Sequence, residues 1–349
     1  MSEPSSPLAD TREAAHIRPI WLVRKSRERR YWLNVVLLLA TVVTTVIVGA
    51  HLQYNFNHNR PAFGTETYTL PLSSHLARTV FHDSGPIEIE LPFPMKWVIA
   101  NPGQLLLGIP FAIMLMGILL AHELGHFLYC EHYGVYATLP YFLPGPFVSP
   151  IGTFGAVIRI KSPIRSRQAL FDIGIAGPIA GFVLGVPVLL CGLALSKPLT
   201  PQAAGSLISF GYPPIFYFSH GLVKVLLPHT PALGAMYLHP IAVAAWVGML
   251  ATSLNLLPGG QLDGGHIVYA VEPRAHRWAT WTTVTVLTLL SFHWPGWLLW
   301  AVILAITGWR HPPVPPWPHL SGGRRAMSLV AVAILALTWV PAPIVGVGW

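Results

Sequence analysis

An all-α polytopic membrane protein of about seven transmembrane helices, with a small membrane-associated β-element, is the fold this sequence predicts. Three observations carry that expectation. Of the 349 residues, 53% are hydrophobic and only 10% charged, with a mean hydropathy of +0.56, whereas soluble domains carry about 25% charged residues. Apolar runs of spanning length recur along the chain. Basic residues gather in alternate connections between those runs, as the positive-inside rule requires. The formal net charge of +8 therefore orients the chain in a lipid bilayer, and nucleic acid is not an expected partner. Cys130 and Cys191 both lie in apolar sequence and form neither a disulfide framework nor a Cys metal motif.

Residues 1–30 are polar, with Arg12, Arg18, Arg24, Lys25, Arg27, Arg29 and Arg30 outweighing Glu3, Asp10, Glu13 and Glu28. That excess predicts a cytoplasmic N-terminal segment. The run from Tyr31 to Leu52 is long enough to span and lacks a small-residue cleavage site, so it reads as an anchor. With the loop that follows it forms a unit over 31–96, a first membrane anchor and external loop. Inside the loop, Ile87-Glu88-Ile89-Glu90-Leu91 alternates with the period of a strand. Further spans are expected at about 97–131, 169–195, 239–257, 277–293, 296–310 and 326–343; those after 276 make a C-terminal membrane unit, 276–349. Connections 134–168, 258–276 and 311–325 then fall on the cytoplasmic side, with Arg159, Lys161, Arg165, Arg167, Arg274, Arg277, Arg310, Arg324 and Arg325 in or beside them. The opposite loops, 196–238 and 294–295, hold only Lys197 and Lys224. Residues 205–227 are apolar but broken by Gly211 and Pro213-Pro214, the pattern of an interfacial or re-entrant piece. Over 137–160, Pro140, Pro144, Pro146 and Pro150 exclude a helix, and Gly152 to Ile160 fits a strand after a turn.

The span at 97–131 carries the chemistry. It runs uncharged from Leu105 to Leu120 and then reads His122-Glu123-Leu124-Gly125-His126. Helix positions i and i+4 differ by about 40° of rotation, so His122 and His126 face one way and can share a metal ion. Glu123 stands beside them, where a carboxylate can deprotonate an attacking water. Single histidines on apolar helices are commonly packing residues. Burying all three of these groups without a cation would instead cost several kcal/mol, which favours a zinc hydrolase working at membrane depth.

Catalytic zinc takes three protein ligands, and few acidic side chains here have apolar surroundings. Glu131 lies five residues past His126 and turns away from the pair. Asp172 opens the next span, where a carboxylate serves as a helix cap. Asp263 remains, within Asn255-Leu256-Leu257-Pro258-Gly259-Gly260-Gln261-Leu262-Asp263-Gly264-Gly265-His266. Pro258, Gly259 and Gly260 unwind the helix end and let the backbone fold inwards, although an aspartate before Gly-Gly is also ordinary turn chemistry. Gly177-Pro178-Ile179-Ala180-Gly181-Phe182-Val183-Leu184-Gly185 repeats a small-xxx-small pattern that lets helices pack closely.

His122-Glu123-x-x-His126 followed by Asn255-x-x-Pro258-x-x-x-Leu262-Asp263-Gly264 resembles the site-2 protease family of intramembrane zinc metalloproteases, over about 97–275. The resemblance implies a catalytic membrane core over that range and a zinc metalloendopeptidase cutting membrane-spanning protein substrates, as in regulated intramembrane proteolysis. It implies Zn2+ held by His122, His126 and Asp263, with Glu123 as general base and Asn255 near the substrate carbonyl. Gly177-Pro178 matches the family's Gly-Pro pair. The stretch Gly152–Ala156 looks like its membrane-associated β-element, which makes Gly152, Thr153, Phe154 and Gly155 candidate substrate-binding residues. Some members carry Asn where this chain has Gly181. A membrane transporter of divalent metal ions is the alternative from another class; Glu123 would have no duty there, and no inverted repeat of the histidine helix is visible. No feature of the sequence specifies an oligomer.

Overall fold

The computed structural model describes residues 31–70, 87–205, 208–308, 311–315 and 317–346. The expected cytoplasmic segment 1–30, part of the external loop (71–86) and Arg310 lie outside the described residues. The chain is mostly helical. Three helical stretches are long and apolar enough to cross a membrane: Tyr31–Asn57, Pro102–His132 and Arg167–Ala194. Pro240–Asn255 and Gly296–Thr307 are apolar but shorter.

Helix α1 is Tyr31–Asn57. Its outer face exposes Trp32, Val35, Leu39 and Val43, a surface suited to lipid rather than water. A hairpin follows, β1 (Glu66–Leu70) against β2 (Ile87–Leu91), with Tyr68 opposite Ile89, so the alternation at 87–91 does form a strand. The expected span at 97–131 is not one helix. A short helix, Met95–Ala100, stops at Asn101-Pro102, a 3-10 stretch covers Pro102–Gly108, and helix α2 runs Ile109–His132. The break follows from proline, which cannot continue the hydrogen-bond ladder of the preceding turn.

Strands β3 (Tyr141–Pro144) and β4 (Thr153–Val157) pair antiparallel within 137–160, where one strand after a turn was expected, with Phe142 opposite Ala156 and Leu143 opposite Gly155. Helix α1 holds it from one side. Asn34 Nδ2 donates to the carbonyls of Leu139 and Pro140, each at 3.0 Å, and Thr44 Oγ1 donates to the Gly152 carbonyl at 2.6 Å. Gly152 has φ +79, and a Cβ there would lie 2.5 Å from the Thr44 carbonyl, so only glycine passes.

Helix α3 is Arg167–Ala194. Here one expectation is corrected. Asp172 does not cap this helix: Ser166 does, accepting from the Ala169 N–H at 3.1 Å. Asp172 lies in the second turn and pairs with Arg324 at 2.8 Å, because the helix starts several residues before its apolar run. The segment 205–227 becomes helix α4, Pro214–Leu226, with Ile215, Phe216, Ser219 and Val223 buried and Tyr217, Phe218, Leu222 and Val225 exposed.

Helix α5, Pro240–Asn255, is the centre of the bundle. Residues Pro240 to Met249 are buried without a break, and a helix apolar all round is a core helix. Its 16 residues are about 24 Å long. It packs on α2 and α3 through Leu115, Ile118, Leu189, Leu193 and Met249. Four further helices follow, α6 (Asp263–Val271), α7 (Pro273–Leu290), α8 (Gly296–Thr307) and α9 (Gly322–Thr338). Glu272 and Ser321 cap α7 and α9 by accepting from the N–H groups of Arg274 and Arg324.

Candidate metal centre

The centre is built where α2, α3 and α6 meet. Helix periodicity stacks His122 and His126 on one face of α2, their ring centroids 4.9 Å apart. That face packs against α3 at backbone distance: a Cβ on Gly125 would lie 2.5 Å from the Ala176 carbonyl, and one on Gly177 would lie 2.1 Å from His126 Nε2. The small-residue pattern of α3 is thus the clearance for a histidine ring. At Gly181 a Cβ would stand 3.2 Å from His122 Nδ1, so glycine leaves that ring its room as well.

Asp263 arrives from the other side. After α5 ends at Asn255, the chain turns through Pro258, Gly259 and Gly260 and begins α6 at Asp263. Gly260 has φ +60, a left-handed conformation that glycine adopts without strain. Asp263 Oδ2 lies 3.2 Å from His122 Nε2 and 3.2 Å from His126 Nε2. The three ligand-type atoms are all within 4.8 Å of one another, and among the described residues no other group of three or more His, Cys, Asp or Glu has this geometry.

The donor set fits zinc. Two ligands about 2.1 Å from a tetrahedral ion stand about 3.4 Å apart, close to the 3.2 Å found here. Proton placement points the same way. His126 Nδ1 donates to the Ile173 carbonyl at 2.7 Å, which leaves Nε2 of the neutral ring bare. Nε2 and the Asp263 carboxylate then present lone pairs to each other, and a cation between them relieves that opposition. Imidazole and carboxylate ligands are those zinc takes in open sites.

Glu123 is buried, 7% exposed, and lies outside the three-atom group. It lines the same cavity of about 230 Å³, together with His122, His126, Asn255 and Asp263. Asn255 Nδ2 is 3.3 Å from His122 Nε2, which brings its amide to the edge of the centre. Five of the residues singled out from sequence therefore converge. Gly152, Thr153, Phe154 and Gly155 do not line the cavity. Gly152 is held under α1, Thr153 is 1% exposed with its hydroxyl donating to the Leu143 carbonyl, and Phe154 points outward at 62% exposure. Ala156 and Val157 of the same strand, with Ile158 and Ile160 just beyond its end, supply one wall instead. Gln261 and His266 also line it; their spacing of two before and three after Asp263 was the available signal.

Comparison with known proteins agrees with this geometry. The model of Peptidase family M50 matches residues 110–292, a range that includes both ligand-bearing segments. The chain is 30% identical over 280 residues to the probable chloroplastic zinc metalloprotease EGY1 of Arabidopsis thaliana, covering 77% of this chain and 46% of that protein. It is 33% identical over 165 residues to the probable chloroplastic zinc metalloprotease EGY2 of the same plant, covering 47% of this chain and 29% of that protein. A stretch of 123 residues is 35% identical to the DDT domain-containing protein PTM, also of Arabidopsis thaliana, 34% of this chain and 7% of the relative. The chain spans less than half the length of these relatives. His122, His126 and Asp263, which could hold a metal ion, all fall inside the matched range, and the match itself shows that the chain belongs to Peptidase family M50, the site-2 protease family.

Proposed function

We propose that this protein is an intramembrane zinc metalloendopeptidase that hydrolyses peptide bonds of membrane-spanning proteins. The observation that carries the reading is the separation of roles within one cavity. His122, His126 and Asp263 converge on a single point, while Glu123 shares the cavity but not the triad. A carrier has no use for that fourth group.

Zinc, when bound, polarises the scissile carbonyl and acidifies the attacking water. Glu123 removes a proton from that water and delivers it to the leaving amine. His126 keeps its Nε2 free for the metal through the bond from Nδ1 to the Ile173 carbonyl. Asn255 donates from Nδ2 toward the oxygen on which charge develops. The apolar walls from Ala156 to Ile160 limit the water that enters.

A transmembrane helix hides its carbonyls in its own hydrogen bonds, so the substrate must unwind locally. The rim of the hairpin supports capture by strand addition. Thr138 N–H donates to the Arg159 carbonyl at 3.0 Å and Lys161 N–H to the Tyr136 carbonyl at 2.8 Å. Main-chain groups alternate in direction along a strand, so Ile158 and Ile160 turn theirs towards the cavity they line. In this reading 97–275 is the catalytic core, flanked by an anchor unit (31–96) and C-terminal membrane helices (276–349). Seven spans, a cytoplasmic N-terminus (1–30) and a hairpin lodged at the bilayer complete it.

The test is a Glu123→Gln variant assayed on a membrane-spanning model substrate. It keeps size and packing but cannot accept the proton, so cleavage should fall by about 10²-fold or more with zinc retained. Normal turnover would remove Glu123 from the mechanism. Ile160→Pro deletes a rim N–H and should impair cleavage at unchanged zinc content, with Ile160→Ala milder. Equal activity of the proline variant would eliminate strand addition.

A further inference from the structure

A pair of imidazoles opens off this cavity and takes no part in the ligand set. His266, on α6 one turn past Asp263, lines the cavity, and its Nδ1 lies 2.8 Å from Nε2 of His311. His311 in turn holds the Pro312 carbonyl with Nδ1 at 2.7 Å. It stands half-buried at the start of segment 311–315, with Pro312 and Pro313 exposed beside it. Tyr269 stacks on the His311 ring at 3.9 Å between centroids, and His276 meets it edge-on at 5.2 Å. His276 is committed elsewhere, its Nε2 2.9 Å from the Gly260 carbonyl.

These contacts order the protons. The Pro312 carbonyl only accepts, so His311 Nδ1 carries a proton and, in the neutral ring, Nε2 is bare. His266 donates its Nδ1–H to that nitrogen, which leaves its own Nε2 as the bare atom of the ring on the cavity. Two imidazoles are too few to hold a second metal ion, and no third ligand-type atom joins them among the described residues.

We propose that His266 and His311 form a proton path from the catalytic cavity to the protein surface. The proposal rests on the peptidase reading. Water attack and C–N cleavage consume one water proton at the amine, through Glu123, and leave the other on a new carboxylic acid. That second proton must depart for the product to leave as an anion. On the path, the acid O–H bond breaks as an N–H bond forms at His266 Nε2. The His266 Nδ1–H bond breaks as its proton passes to His311 Nε2. The resulting imidazolium at His311 gives its Nδ1 proton to water or buffer, which leaves both rings as Nε2–H tautomers, and each recovers its Nδ1–H form by proton exchange with water once product has left the cavity. In apolar surroundings, where chains of water are scarce, fixed carriers have most to add.

The experiment uses full-length, zinc-loaded protein in detergent with a membrane-spanning model substrate at low buffer concentration. His311→Ala should lower kcat by about tenfold, below the span usual for a direct acid or base, with KM and zinc content unchanged. Added imidazole should restore the rate, which it would not do for a packing defect. A variant that turns over normally at low buffer, or a loss that no buffer restores, overturns the path. A second measurement does not depend on turnover: in histidine 15N NMR, His311→Ala should shift the His266 ring away from the Nδ1–H tautomer. An unchanged His266 tautomer also overturns it. Failure of the wild type to cleave would instead count against the peptidase reading, and the NMR result would still decide the pairing.

Discussion

Asp172 and Asp263 are the same side chain at nearly the same burial, 14% and 16% exposed, in neighbouring parts of one helical bundle. The fold treats them in opposite ways. Asp172 receives a permanent cation, with Arg324 Nε 2.9 Å from Oδ1 and Nη2 2.8 Å from Oδ2, and a further hydrogen bond from the Tyr133 phenol. It is fully partnered by protein and ties α3 to α9 and to the end of α2. Asp263 receives two imidazoles, of which at least His126 offers a lone pair. One carboxylate is a structural fastener; the other is left for a cation that the chain does not itself supply. The contrast marks a site more clearly than burial alone, because buried charge is costly in both places and only one of them is answered.

The comparison breaks first at Asp263. Asp263→Leu should cost zinc affinity and cleavage by about 10²-fold or more, because two imidazoles alone hold zinc poorly. The melting temperature of the metal-free protein should stay level or rise, since an unanswered buried charge has gone. A metal-free protein that unfolds on this change would make Asp263 structural, like Asp172. The mirror experiment is Arg324→Met. It strands Asp172 and should destabilise the fold by about 3 kcal/mol, the low end for a buried pair given Arg324's partial exposure, at unchanged zinc affinity in the folded fraction. Adding Asp172→Leu should recover most of that loss, measured by thermal or denaturant unfolding in detergent. No rescue by the double change would mean that the pair does more than neutralise charge.

A smaller effect sharpens the clearance argument. Gly177→Ala places a methyl group where His126 Nε2 now sits, 2.1 Å away, so zinc affinity should fall by about tenfold, roughly the size of losing an outer-shell support. Chelator competition reads it, and unchanged affinity would mean that the helices separate freely. Smallest of all, Tyr133→Phe removes one hydrogen bond to Asp172 and should cost about 1 kcal/mol of stability with no effect on zinc.

What the sequence made legible follows the reach of each interaction. His122, Glu123 and His126 were readable because a helix repeat places them together within five residues. Asp263 stood out because few acidic side chains here have apolar surroundings, although its Pro-Gly-Gly turn alone left ordinary turn chemistry open. The partner of Asp172 was not, since Arg324 lies 152 positions away and no local pattern records that pairing. Proximity to the start of an apolar run suggested a cap, but Ser166 had already begun the helix. Prolines and glycines excluded a helix over 137–160 and marked a strand after a turn, while its pairing with Tyr141–Pro144 and its attachment to α1 through Asn34 and Thr44 needed the folded molecule. That attachment holds Gly152 under α1, and the wall of the cavity starts further along, at Ala156. Helix limits depart from the expected runs by a few residues, and by more at 97–131, because caps and prolines, not hydropathy, end helices.

In the proposed centre His122, His126 and Asp263 share one zinc ion and Glu123 is not among its ligands. Zinc K-edge X-ray absorption on the purified full chain tests it most directly, with the Glu123→Gln variant measured alongside. The expected result is one zinc per chain in an N/O shell at about 2.0–2.2 Å with the outer-shell scattering of two imidazoles, unchanged in Glu123→Gln. A sulfur shell, a single imidazole, or loss of an oxygen ligand in Glu123→Gln would contradict it.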